Sequence, residues 1–169
     1  MVPQRGTTVS LIKISDAREN MFLRRAIEVE AVRAITRNFN GDHLEALKQN
    51  LRYQRAAVEA NDAVGFHRFD LEFHAVLFEV LGFERVKAFA ETARFGLDRV
   101  RRLLNSRRRQ EFTLAEHQAI LDEIQQCNAN GAANAMGAHL DAVMKELETF
   151  AAANPELFAD LQTKTDGQS

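Results

Sequence analysis

The sequence predicts an all-α fold, an antiparallel bundle of six to seven helices, and the prediction rests on three observations. Only two prolines occur, Pro3 and Pro155, so about 150 residues between them contain no obligatory helix breaker. Apolar residues recur at three- and four-residue spacing through that interval. Asp16 with Glu19, Asp42 with Glu45 and Thr113 with Glu116 have the spacing of helix starts, the last that of a capping box.

In chain order, a first helix is expected near 17–39, opened by Asp16, and a second near 43–61, opened by Asp42. A third near 62–81 carries Phe66, Asp70, Phe73, His74, Leu77 and Leu81 on one arc, and a fourth near 83–106 follows Gly82. Thr113 opens a fifth near 114–129, with His117, Leu121 and Ile124 on one face. A sixth near 131–153 aligns Met136, His139 and Val143, and a short seventh over 156–161 follows Pro155 before a polar tail over 163–169. Gly41, Gly82 and Gly131 fall between periodic stretches, where helix C-termini use positive φ. Such brief connections make consecutive helices antiparallel. Thr7, Thr8, Val9, Leu11 and Ile12 are β-prone, but a lone strand has no partner in a helical chain, so propensity alone reads them as a tail.

Composition narrows function. With 46% apolar and 27% charged residues the chain is globular, and a net charge of −2 gives no field that would draw it onto nucleic acid or an anionic membrane. Cys127 is the single cysteine, which excludes an intrachain disulfide and fits a reducing cytoplasm. No run reaches the length of a membrane span, and the N-terminus lacks the apolar core of a signal peptide.

The chemistry concentrates on inward-facing polar residues. Asp70 and His74 lie one turn apart among phenylalanines and leucines, and His117 and His139 share apolar faces of two other helices. One such histidine is ordinarily a satisfied core residue. Three with an aspartate can converge across a bundle, and nitrogen plus carboxylate ligands suit zinc, nickel, manganese or iron(II). From periodicity, a metal site and a buried polar network stand level. His67, at the edge of the same arc, is a ligand, a neighbour of the site or a surface residue; His43 reads as a surface residue.

Four segments in order, Arg24-x-x-Ile27-Glu28, Asp62-x-x-x-Phe66-x-x-x-Asp70-x-x-Phe73-His74, Glu116-His117-x-x-Ile120-Leu121 and Ala132-x-x-x-Met136-x-x-His139-Leu140, resemble the FCD domain, the effector-binding module of FadR-type GntR-superfamily transcription regulators. The resemblance implies that Asp70, His74, His117 and His139 bind a divalent metal, zinc foremost. It implies an internal metal and ligand cavity in which Arg24 holds the carboxylate of a small effector, a simple carboxylate, hydroxy acid or sugar acid, with Arg99 a second effector contact; His67, from its place on the arc, is a third candidate. Arg24 could otherwise form a surface ion pair with Glu28, and Arg99 could belong to a solvated basic face. Gly82 with Phe83, and Asn128, depart from the family pattern without touching the metal set. The resemblance also implies a homodimer, and it likens Pro3–Ser10 to the last wing strand of a winged-helix DNA-binding domain. The expected organisation is therefore a strand remnant and linker over 1–14 and an effector-binding body over 15–162, with operator DNA reached only through a missing N-terminal domain. Two rivals are a metal-dependent enzyme on a helical bundle, for which spacing nominates no general base, and a nucleic-acid binder using Arg99, Arg101, Arg102, Arg107, Arg108 and Arg109.

Overall fold

A computed structural model describes residues 11–161 and shows an all-α bundle. Its helices are α1 (Ile14–Thr36), α2 (Gly41–Glu59), α3 (Ala63–Leu81), α4 (Glu84–Gly96), α5 (Asp98–Leu104), α6 (Arg107–Gln125) and α7 (Ala129–Ala153), followed by a single 3-10 turn at Pro155–Leu157. The expected wing strand at Pro3–Ser10 and the polar tail over 163–169 lie outside the described residues.

Three starts differ from expectation, each for a local reason. Helix α1 begins at Ile14, ahead of Asp16, because Asp160 from the far end of the chain accepts from Ile14 N and Ser15 N, each at 2.9 Å. Helix α2 is capped by Asn40, whose Oδ1 accepts from His43 N at 3.0 Å. Helix α6 begins at Arg107, six residues ahead of Thr113, because the Ser106 side chain accepts from Arg109 N at 3.2 Å. Thr113 and Glu116 form no capping box; both sit inside the helix.

The predicted fourth helix breaks at Leu97, whose N–H turns back to Arg94 O in a tighter turn, giving α4 and α5. Among the three glycines expected at helix ends, only Gly82 closes a helix, at φ 68°. Gly41 opens α2, and Gly131 lies in the first turn of α7, where its N–H donates to the Asn128 cap.

Helix α1 packs along α7, α4 and α3, while α2 packs on α3 and α6, and α6 on α7. The three-residue links before α3 and before α7 make those packed pairs antiparallel; α1 instead meets helices distant in sequence. The core joins Leu47, Phe73, Leu77, Ile120, Met136 and Leu140, all essentially inaccessible. Burying each such side chain stabilises the fold by about 1.5–3 kcal/mol. Ile12, expected in a strand without a partner, makes one parallel bridge to the buried Phe158, with Ala159 N donating to Ile12 O at 2.7 Å. That extended segment replaces the short seventh helix expected over 156–161.

Candidate metal and effector site

Helices α3, α6 and α7 each send one histidine to the bundle centre. His74, His117 and His139 are fully buried, and one ring nitrogen from each lies within 4.8 Å of the others. The rings are 4.7–5.4 Å apart between centroids, and Phe73 stacks on His117 at 4.1 Å with a 10° interplanar angle, which fixes that ring in plane. Three buried imidazoles in this arrangement can hold a metal ion.

The surroundings decide which nitrogens are available. Each Nδ1 faces an oxygen: Glu28 Oε2 lies 2.5 Å from His74, Gln54 Oε1 3.0 Å from His117, and Glu116 Oε2 2.7 Å from His139. The middle case fixes its own polarity. Asn50 Nδ2 donates to the carbonyl of Phe69, which can only accept, so Asn50 Oδ1 takes the amide of Gln54 and Gln54 Oε1 is left for His117. His117 therefore carries its proton on Nδ1 and its lone pair on Nε2. Among the described residues, Nε2 of His117 and of His139 has no hydrogen-bond partner, and Nε2 of His74 has only Arg24 Nη2, at 3.5 Å. Hydrogen-bond acceptors behind Nδ1 of His117 and His139, a carboxylate close to Nδ1 of His74, and Nε2 atoms turned to one another are the outer-shell arrangement that metal-binding histidines use, so the residues fit the expected ion. Burial lowers the pKa of all three rings, most strongly for His117 and His139, which keeps them neutral at pH 7.

Asp70, the fourth expected ligand, stands at the edge of this cluster. Its Oδ1 lies 3.7 Å from His117 Nε2, and its Oδ2 meets the Arg101 guanidinium. Burial is the largest single influence and pushes its pKa up, but Arg101 together with His74, His117 and His139 outweighs it and holds the carboxyl far below its ordinary range. Arg24 is not a surface ion pair: it is inaccessible and bonds Glu28 Oε1 through Nε at 2.7 Å, with Nη1 lacking any partner. Glu28 likewise stays ionised, because Arg24 and His74 outweigh its burial.

The remaining predicted residues separate. His67 lines a cavity of about 50 Å³ beside Asp70 and Arg101, with Nε2 2.7 Å from Asp98 Oδ1. That space takes a water or two rather than an organic acid. Arg99 lies on the exposed side of α5 and does not line the cavity; Arg101, two residues on, turns inward. His43 is half-buried at the start of α2, edge-on to Phe39.

Sequence reasoning missed Gln54, Arg94 and Gln110, named Arg101 only as part of a basic run, and named Glu28 as the companion of Arg24 and Glu116 within motifs. The spacing Ala90, Arg94, Leu97, Arg101, Leu104 puts both arginines on the apolar side of the segment, a signal open to inspection. The basic run does not act as one surface either: Arg102 pairs with Asp98, Arg107 with Glu111, and Arg109 with Glu116 and Glu146.

The comparisons with known proteins agree with this reading of the bundle. Residues 19–142 match the FCD domain. The chain is 26% identical over 159 residues, 94% of its length, to the HTH-type transcriptional repressor RspR of Escherichia coli, of which it covers 70%, and equally similar to the HTH-type regulator YdfH of Shigella flexneri. It is 30% identical over 158 residues to an HTH-type transcriptional regulator of Streptomyces ambofaciens, covering 93% of this chain and 66% of that one.

Proposed function

The chain belongs to the FCD domain family, and from that premise we propose that it senses a small anionic metabolite at a divalent metal within a FadR-type GntR regulator. The observation that carries the proposal is the charge of the buried cluster. Arg24 and Arg94 are buried guanidiniums and Arg101 is nearly so, Glu28 and Asp70 are the buried carboxylates facing them, Glu116 at the edge is balanced by Arg109, and the three histidines are neutral. Burial lowers the Arg94 pKa only to about 10, so it stays charged, and its Nη2 donates to the carbonyl of Leu71 rather than to an acid. One positive charge is thus in excess, and a divalent ion makes three. Uncompensated buried charge costs several kcal/mol, so an anion is the complementary ligand.

His74, His117 and His139 would hold the ion through Nε2, with Asp70 as the fourth ligand and zinc the first candidate, nickel, manganese and iron(II) being compatible with the same donors. The metal when bound supplies a Lewis acid for a carboxylate oxygen. Arg101 and Arg24 orient and neutralise that carboxylate, and His67 borders the entrance. Seating it requires Arg101 to give up part of its contact with Asp70, which enlarges the small cavity beside them.

The relatives are transcriptional regulators, which supports sensing over turnover. DNA binding by the whole protein would pass through a helix-turn-helix domain, and effector binding would bias the arrangement of two such domains in a cytoplasmic homodimer. Phe89 and Phe95 on the outer side of α4 are 64% and 84% exposed, apolar surface of the kind a second subunit covers. Sedimentation at several concentrations tests the dimer. The site itself is tested by calorimetry of small carboxylates on metal-loaded and chelator-treated chain. Binding is expected only to the loaded chain and weakens at least tenfold in Arg101→Gln; equal binding to the stripped chain would contradict the proposal.

A further inference from the structure

The wall of the cavity beside Asp70 and Arg101 contains a second amide chain, and its polarity is fixed in the same way as that behind His117. Asn105 Nδ2 donates to the carbonyl of Ala63 at 3.0 Å, and that carbonyl can only accept. Asn105 Oδ1 therefore faces Gln110 and takes its Nε2 at 2.8 Å. Gln110 is left presenting Oε1, an acceptor that cannot be exchanged for a donor without breaking the chain at Asn105. Gln110 is 3% exposed, its Oε1 is buried with no hydrogen-bond partner, and Gln110, Asn105, Arg101 and Asp70 line the same cavity. A buried acceptor of fixed polarity beside the proposed carboxylate site calls for a donor on the ligand.

We propose that Gln110 selects an effector bearing a hydroxyl group, accepting that hydroxyl at Oε1 while the effector's carboxylate lies toward Arg101 and the metal. The inference rests on the site proposed above and adds a direction of discrimination. An alcohol donates to Oε1; a ketone at the same carbon offers only acceptors, and a methylene offers nothing. The order of affinity is therefore hydroxy acid first, with oxo acid and deoxy acid both lower by about tenfold to a hundredfold. Asn105 is a positioning residue: without it the Gln110 amide is free to turn over and offer its NH₂, which suits a ketone.

The test is calorimetry on the metal-loaded full chain with matched acids: lactate, pyruvate and propionate; 3-hydroxybutyrate, acetoacetate and butyrate; and gluconate against hexanoate. Wild type is expected to prefer the alcohol in at least one set. Gln110→Met should remove that preference while retaining carboxylate binding, and Asn105→Ala should narrow the gap between alcohol and ketone. Metal content and melting temperature of each variant establish that the site is intact, and the wild-type alcohol-to-ketone ratio stands without either variant. Acids that bind with no preference for the alcohol, or a preference that survives Gln110→Met, would overturn this inference and leave the metal-and-carboxylate site standing. No binding by any acid would overturn both.

Discussion

Behind α6 an asparagine anchored on the carbonyl of Phe69 orients Gln54, which ends on the ring of His117; beside the cavity an asparagine anchored on the carbonyl of Ala63 orients Gln110, which ends on no protein donor. The parts are the same, an accept-only carbonyl, an asparagine and a glutamine. In the first chain the free acceptor meets an N–H of the protein and frees a lone pair for a metal. In the second it is kept for a ligand. The difference teaches that one device can serve structure or recognition depending on what stands at its last atom, and that the distinction is decided by satisfaction rather than by residue type.

The largest effect should come from the ring nitrogens themselves. His139→Ala removes one of three lone pairs and should lower metal affinity by a hundredfold or more, on the order of 3 kcal/mol, read by competition against a chromogenic chelator. Gln54→Met leaves all three rings in place but cuts the closed chain behind His117. It should weaken metal binding about tenfold to a hundredfold and destabilise the chain by about 1–3 kcal/mol, measured by denaturant unfolding with and without metal.

Acidification also separates the two chains, because one ends on a titratable ring and the other on an amide. Burial depresses the histidine pKa values in the folded state, so the neutral rings contribute stability that is complete above the unfolded value of about 6.5 and is lost as pH falls through the lower folded values. Melting temperature and metal occupancy should both fall below about pH 6.5 in wild type. His117→Gln should make that pH dependence shallower, whereas Gln110→Met should leave it unchanged. The smallest effect is on the open chain: Gln110→Met removes an acceptor already without a partner and one hydrogen bond to the half-buried Asn105, and should cost about 1 kcal/mol. A cost as large as that of Gln54→Met would erase the comparison.

Much of the bundle and its centre was legible because both depend on periodicity. Asp70, His74, His117 and His139 each lie on an apolar face, and burial follows from that spacing. The cap at Ser106 was hidden by a better-looking capping box at Thr113, which also hid Gln110, since that residue then seemed to lie in a loop. The break at Leu97 directly follows Gly96, the last residue of α4 and a weak helix former, a local mark that the reading of one continuous fourth helix passed over. Asp160 capping α1 across 146 residues is a long-range contact that no local pattern records. Gln54 was legible as an inward polar residue from its spacing with Leu47, Leu51 and Val58, but its role lies in which atom it presents, and that follows only from the partners of Asn50.

The measurement closest to the central claim is elemental analysis of the purified chain after reconstitution with zinc, nickel, manganese or iron(II), beside His74→Ala and Asp70→Ala treated identically. About one metal per chain, lost in His74→Ala and weakened in Asp70→Ala, is the expected result for three Nε2 lone pairs with a carboxylate at their edge. No metal retained under any of these conditions would contradict it, and would make the three histidines a buried polar network held by Glu28, Gln54 and Glu116 alone.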